Sequence, residues 1–451
     1  MNASVAGSRY VRQSLSIVLI ANAASLFHFG FQWVAAQHLE PASYGSLGAL
    51  LALLTYLLVP AQAIQLVIAR RGVTAWDRGG EPAFASVVRH ALRDVAITAA
   101  FVTFAGVILS PVLAAQFHLP SESAAASVFV VAGVSYFYFT GLGALQARER
   151  YARFGLFHTA VAAGRLVLAG GILVLGGGLA ATMIVLAIVP TLLAVVHLRR
   201  ATVLASGTRP MSASGSILSF LREGSAVGLA IGGFTALLHT DIAFVQHRCG
   251  GIGDEGAGVY QAVSSLGRAV LHFPAAMAVV TFSRTARLTA RGADPTTLLI
   301  RSVVLQLALA ITLAVPLALF APEILALYSG DDRYRLGAPL LRRYVVPMVI
   351  LGSVLIALNY HVARDHRSDS GKATATTLAP RLPVFIIAIA LLAFAASFAC
   401  GSIASATDRF EVFEGAIDRL TALALALFAS FAALTALDRR ESHHRRGLEA
   451  S

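Results

Sequence analysis

The sequence has little charge, almost no lysine and very little cysteine. Asp, Glu, Lys and Arg make up 13% of its 451 residues, about half the share of an ordinary soluble domain. With 57% hydrophobic residues and a mean hydropathy of +0.74, this excludes an ordinary soluble enzyme and a disordered, solvated chain. The two cysteines, Cys249 and Cys400, have no CxxC partner and no metal-ligand spacing. No disulfide scaffold and no metal site is expected, and both are read as thiols without chemistry. Of the 35 basic residues only Lys372 is a lysine, a sign of genome composition more than of function. There is no Walker loop, no HExxH and no G-x-S-x-G. The longest outer loop, 321–338, has about 18 residues, too few for an independent core. No catalytic residue is expected, so the chain is not read as an enzyme.

Long apolar runs are what the sequence does have. A membrane-spanning helix needs about 20 predominantly apolar residues. Twelve stretches qualify: 14–36, 44–69, 90–115, 123–145, 155–176, 178–198, 224–247, 257–282, 298–320, 339–363, 383–404 and 416–437. The first is too long for a signal peptide and is interrupted by Asn22, His28 and Gln32, so it is read as a retained helix. The net charge of +12 sits in short loops, which argues against nucleic acid as a partner.

The basic residues alternate between loops, as the positive-inside rule requires. One set of loops carries Arg9 and Arg12; Arg70, Arg71 and Arg78; Arg148, Arg150 and Arg153; Arg199, Arg200 and Arg209; Arg284, Arg287 and Arg291; Arg364, Arg367 and Lys372; and Arg439, Arg440, Arg445 and Arg446. The other set is short and acid-leaning, with Glu40, Glu122, Asp254 and Glu255, Asp331 and Asp332, and Glu411 and Glu414. Both termini are therefore expected in the cytoplasm, with the chain in the cell membrane.

Internal similarity recurs at an offset near 213 residues. Gly45 and Gly258 each follow an acidic loop and open a span with one proline, Pro60 or Pro274. Each span ends in an arginine 26 residues after its glycine, Arg71 or Arg284. Pro111 with Phe117 matches Pro322 with Tyr328, and Ala144-Leu145-Gln146 matches Ala357-Leu358-Asn359. Recurrent turn chemistry would produce some of these matches. A parallel repeat of two six-helix bundles would produce all of them, and such repeats mark transporters that hold substrate between halves. The expected division is an N-terminal lobe at 1–200, an inter-lobe linker at 201–222, a C-terminal lobe at 223–438 and a basic tail at 439–451.

Leu39-Glu40-Pro41-x-x-Tyr44-Gly45 resembles the LGPxxYG segment after the first helix of polysaccharide flippases. Thr240-Asp241-Ile242-Ala243, then Asp254-Glu255-Gly256-Ala257-Gly258-Val259-Tyr260-Gln261-Ala262, then Phe273-Pro274 and Phe282-Ser283-Arg284, is similar to the same family's helices seven and eight. Ser283 stands where that family usually has proline. Gln146-Ala147-Arg148-Glu149-Arg150-Tyr151 resembles its fourth cytoplasmic boundary. The likeness covers helices one to about ten; the last two match in length and hydropathy only. These O-antigen-type flippases belong to the multidrug/oligosaccharidyl-lipid/polysaccharide exporter superfamily. The resemblance implies an all-α, V-shaped pair of lobes, alternating access and a lipid-linked oligosaccharide as cargo.

Charges within spans are costly and are functional candidates by default. Arg165 and Arg268 both fall near mid-span. A guanidinium there holds its charge and can grip a phosphate bidentately; alternatively each pins two helices through an acid. Asp241 is the one acid well inside a span, with Arg268 and His239 as candidate partners. It is read as a structural ion pair, a Na+ or H+ coupling site, or a polar residue at a helix end. A hard cation needs several oxygens, and no second acid is found well inside helices ten to twelve. Gln62 and Gln65 share a helix face and suit either sugar hydroxyls or interhelical hydrogen bonds. His28, His158, His272 and His361 are scattered.

Basic charge at mid-span favours anionic cargo. The leading reading is a flippase or exporter of lipid-linked glycan, working beside a polysaccharide polymerase or glycosyltransferases and needing no cofactor apart from a coupling ion. The alternative is a cation-coupled exporter of small molecules on the same fold. A membrane glycosyltransferase would need acids on large outer loops, and loop 37–43 is too short. A scaffold that retains the fold without transporting remains a fourth reading.

Overall fold

A computed structural model describes residues 23–205, 217–249, 255–290, 293–365 and 409–449, and every regular element among them is helical. The expected span 383–404, the start of the first span, most of the linker, Asp254, Lys372 and Cys400 lie outside the described residues. The helices are α1 at 23–38, α2 Pro41–Gln116, α3 Glu122–Ala147, α4 Tyr151–Gly164, α5 Gly170–Val174, α6 Leu179–Val185 and α7 Ile188–Ala205. They continue with α8 Ile217–Cys249, α9 Gly256–Ala290, α10 Thr296–Leu319, α11 Ala321–Ser329, α12 Ala338–Asp365 and α13 Arg409–Glu449.

Eight helical stretches among the described residues are long and apolar enough to cross a bilayer. Their outward faces confirm the solvent they need. On the second half of α2, Ile97, Phe101, Phe104 and Ile108 recur at helical spacing and are all exposed, Phe101 by 71% and Phe104 by 72%. Ile300, Val304, Ile311 and Val315 form a similar exposed stripe on α10. Contiguous apolar stripes of this kind suit hydrocarbon and are untenable in water. The chain is a multi-pass membrane protein.

Hydropathy places a basic loop at 70–89. The structure replaces it with helix: the first half of α2 runs on past Arg70 and Arg71 to Asp77, and the second runs from Gly79 to Gln116. The reversal takes place at Gly79 and Gly80, where Gly80 has φ 61° and ψ −151°, a conformation essentially confined to glycine. Pro82 then sits within the first turn of the new helix, where a missing N–H does no harm. The loop expected at 321–338 likewise contains α11 and a short 3-10 turn, Asp332–Gly337.

The chain forms two compact units, one of Met1–Ala262 with Ala326–Asp332 and one of Val263–Leu325 with Arg333–Ser451. In the first, α3 lies enclosed between α2, α6 and α7, and α8 packs along α2. In the second, α12 packs against α10 and α13. There, Ser353 Oγ donates to Gln306 Oε1 at 2.6 Å and Gln306 Nε2 donates to the Val349 carbonyl at 3.3 Å. Such side-chain bonds fasten one helix to another where hydrophobicity cannot.

The glycines of the sequence repeat have a packing role in the first unit. A Cβ on Gly258 would lie 2.1 Å from the Pro41 carbonyl oxygen, and one on Gly45 would lie 2.8 Å from the Ala257 Cβ. The starts of α2 and α9 therefore touch backbone to backbone. Tyr44 beside this crossing is fully buried, and its hydroxyl lies 3.1 Å from that of Tyr328. Gln246 Nε2 ties α8 in by donating to the Phe117 carbonyl at 2.9 Å. Gly258→Ala should overpack the crossing and cost about 1–3 kcal/mol, read as a lower melting temperature in detergent. Gly171→Ala, with nothing within 4 Å of its Cβ position, should leave the melting temperature unchanged or raise it.

Candidate functional site: polar groups within the spans

Arg165 lies at the first position of a π segment, Arg165–Ala169, that continues α4 towards α5. The Gly170 N–H reaches back to the Arg165 carbonyl, five residues away. The span containing it is Ala152–Val174, so Arg165 lies roughly 20 Å along it at 1.5 Å per residue. Wider π turns occur frequently at functional sites because they re-aim side chains. Gly164 allows the helix to press on α7, with a Cβ position 2.3 Å from Val189.

The guanidinium points to α1. Arg165 Nη1 lies 3.4 Å from His28 Nδ1, and the charge sits 5.9 Å from the centre of the Phe31 ring, the outer limit of a cation–π contact. Among the described residues no carboxylate forms an ion pair with Arg165; the ion pairs there include Arg148–Glu81 and Arg343–Glu414. A half-buried guanidinium whose contacts among the described residues are a histidine and an aromatic face has hydrogen-bonding capacity to spare.

Asp241 on α8 is fully buried and accepts a hydrogen bond from the Tyr260 hydroxyl at 3.1 Å. Next to it, Thr240 Oγ1 accepts from the Tyr56 hydroxyl at 3.1 Å. His239, one of the partners expected for Asp241, has its Nδ1 2.9 Å from the Thr235 carbonyl oxygen of its own helix. Tyr260 belongs to the segment that carries the family resemblance, yet spacing alone did not single it out as the partner. It is reached from α9, whose first turns pack at the Gly258 crossing.

Gln65 Nε2 donates to Gln146 Oε1 at 3.2 Å, joining α2 to α3. This is the interhelical alternative for that residue. Gln62 is half-buried one turn earlier. Gln261 Nε2 reaches Gln32 Oε1 at 3.5 Å, and the absence of a side chain at Gly48 makes room for it, since a Cβ there would fall 2.1 Å from Gln261 Oε1. The first unit thus holds Arg165, Asp241, Gln62 and Gln65. The Arg165–His28, Asp241–Tyr260 and Gln65–Gln146 contacts share no residue.

Arg268 is in the second unit, on α9, and only 7% exposed. His272 follows one helical turn later and is exposed. The adjacent Gly267 brings α9 close to α12, with a Cβ position 2.3 Å from Tyr344 Cδ1. Among the described residues no group of three His, Cys, Asp or Glu could hold a metal ion.

No protein-family model matches the chain, and no curated protein matches it in sequence. Solved structures do match. An inward-facing multidrug resistance MATE family transporter of the MOP superfamily superposes with a TM-score of 0.69 at 16% identity, over 95% of this chain and 98% of that one. An outward-facing structure of such a transporter gives 0.61 at 16% identity, over 95% of each chain. The fold is that of the MATE transporters. A MOP superfamily transporter from Pyrococcus furiosus, described as having a binding pocket of reversed polarity, also gives 0.61 at 16% identity over 95% of this chain and 96% of its own. The MATE fold agrees with the all-α, flippase-like architecture expected from the sequence. At this identity it speaks for the fold and not for the cargo.

Tyr260→Phe should leave the Asp241 carboxylate short of a donor in a buried site. The expected cost is about 1–3 kcal/mol of stability, seen as a lower melting temperature. Tyr56→Phe, which removes a neutral bond, should cost about 1 kcal/mol.

Proposed function

We propose that this chain is a membrane transporter that flips a lipid-linked oligosaccharide across the cytoplasmic membrane by alternating access. The observation that carries the reading is Arg165, a mid-span guanidinium with no carboxylate partner among the described residues. A lipid-linked glycan must take its pyrophosphate through the bilayer centre. An arginine supplies a permanent charge and a planar fork for phosphate oxygens, and Arg268 supplies a second charge from the other half of the sequence. Gln62 serves the sugar hydroxyls, and Gln65 does so where its bond to Gln146 opens. Asp241 either holds the helices together through Tyr260 or takes up a Na+ or H+ that drives the cycle. The reading requires lobes at 1–200 and 223–438 in parallel repeat and both termini in the cytoplasm. It places the protein beside a polysaccharide polymerase or glycosyltransferases.

A second reading, cation-coupled export of small molecules, is favoured by the buried acid Asp241 and by the multidrug transporters that share the fold. The cargo distinguishes the two. In proteoliposomes, Arg165→Ala should lower glycan-lipid flipping roughly tenfold or more, the loss of one or two charge-assisted hydrogen bonds. Arg165→Lys should recover part of it, since an ammonium lacks the fork. If both variants flip at the wild-type rate while a cationic dye is exported in an Asp241-dependent manner, the second reading holds instead.

The orientation is tested separately. In a background without Cys249 and Cys400, single cysteines at Ser43, Ser121 and Asp332 should label from outside the cell. One at Gly79 should label only after permeabilisation. Reversed labelling at two adjacent loops would overturn the topology.

A further inference from the structure

A second basic site lies in the first unit, away from the mid-span groups. α3 ends at Ala147, and Arg148-Glu149-Arg150 turn the chain into α4. The Arg148 guanidinium is 4.9 Å from the ring centre of Trp76 and 5.0 Å from that of Phe84, and it pairs with Glu81. Beside it, a cleft of about 70 Å³ opens between the second half of α2, α3 and α7. The lining includes Arg148 and Arg150 at the turn after α3, Val88, Leu92 and Leu145 along the walls, and Gly141 with His197 at the inner end.

The cleft depends on Gly141. A Cβ there would lie 2.1 Å from the His197 ring, whose other side meets Phe157 edge-on with centroids 5.1 Å apart. Glu81 pairs with Arg148, which leaves Arg150 as the other arginine that lines the cleft. The lining reaches inward to Thr140, seven residues before the end of α3 and so about 10 Å into the span. The volume is about that of two waters at ~30 Å³ each, enough for one phosphate group. A soluble anion would use only the basic mouth. A molecule with an anionic head and an apolar stem would use the mouth and the walls together.

We propose that this cleft binds the headgroup phosphate of an anionic glycerophospholipid, drawn from the leaflet at the basic end of the spans. Arg150 faces the phosphate at the mouth, and the glycerol and acyl stem run along Val88 and Leu92 towards His197. Basic pockets between spanning helices are a recurrent way to hold such headgroups. The site is separate from the Arg165 group and does not depend on what the transporter carries.

The test is native mass spectrometry of the full chain released from phosphatidylcholine nanodiscs doped with phosphatidylglycerol. The wild type should retain phosphatidylglycerol in preference to phosphatidylcholine. Arg150→Gln should lower that retention about fivefold, the effect of about 1 kcal/mol per basic residue at an anionic surface. Glu81→Gln should raise it, because the charge of Arg148 is released. Gly141→Ala should lower it by pushing His197 into the cleft. Equal retention of the two lipids by the wild type would overturn the proposal. So would unchanged phosphatidylglycerol retention in both Arg150→Gln and Glu81→Gln. If inorganic phosphate displaces the bound lipid at millimolar concentration, the cleft is a soluble-anion site and the lipid assignment is wrong.

Discussion

Hydrocarbon cannot solvate a charge, and the arrangement of this protein follows from that. A guanidinium at mid-span carries a penalty of at least about 2.5 kcal/mol even on insertion scales, so it must face protein or water. Arg165 meets the requirement by turning towards α1, where His28 and Phe31 receive it. The turn of the helix that aims it is itself irregular, a π segment in an otherwise α-helical span. The same constraint buries Asp241 against a tyrosine hydroxyl and leaves stripes such as Phe101 and Phe104 facing outward.

The backbone obeys the same rule. Its polar groups must be satisfied within each span, so helices meet through side-chain size and a few polar bonds. Gly45 and Gly258 let the starts of α2 and α9 touch. Gln65 with Gln146, and Gln306 with Ser353, bolt neighbouring helices together. A fold assembled this way tolerates extensive change in the lipid-facing residues, which fits the 16% identity at which the MATE fold persists over 95% of the chain.

Spans were legible in the sequence because apolarity is a property of side chains and the bilayer sets their length. Their ends were less so. The helix beyond Arg70 to Asp77 is polar, and hydropathy assigns such residues to a loop. The reversal at Gly79-Gly80 is visible afterwards in the pair of glycines. Arg165 was legible as a charge in an apolar run, but the π segment was not, because a change of hydrogen-bond register leaves no pattern in side-chain chemistry. The flanking Gly164 and Gly170-Gly171 are its only sequence trace. Asp241 was legible; Tyr260 was not, although the two lie only 19 residues apart, because the contact requires two helices to cross at an angle that spacing does not encode. The repeat drew attention to Gly45 and Gly258 as equivalents, and the structure shows them at a single crossing.

The central claim is that the charge of Arg165 receives the anionic head of the cargo. Photo-crosslinking addresses it most directly. A lipid-linked oligosaccharide carrying a photoreactive group next to its pyrophosphate would be bound to the reconstituted protein, irradiated and mapped by peptide sequencing. The expected adducts lie on Leu166 and Val167 of the π segment and on His28 and Phe31 of α1, and Arg165→Ala should remove them. Adducts confined to the lipid-facing stripe of Phe101 and Phe104, or adducts at the π segment that persist in Arg165→Ala, would contradict the account.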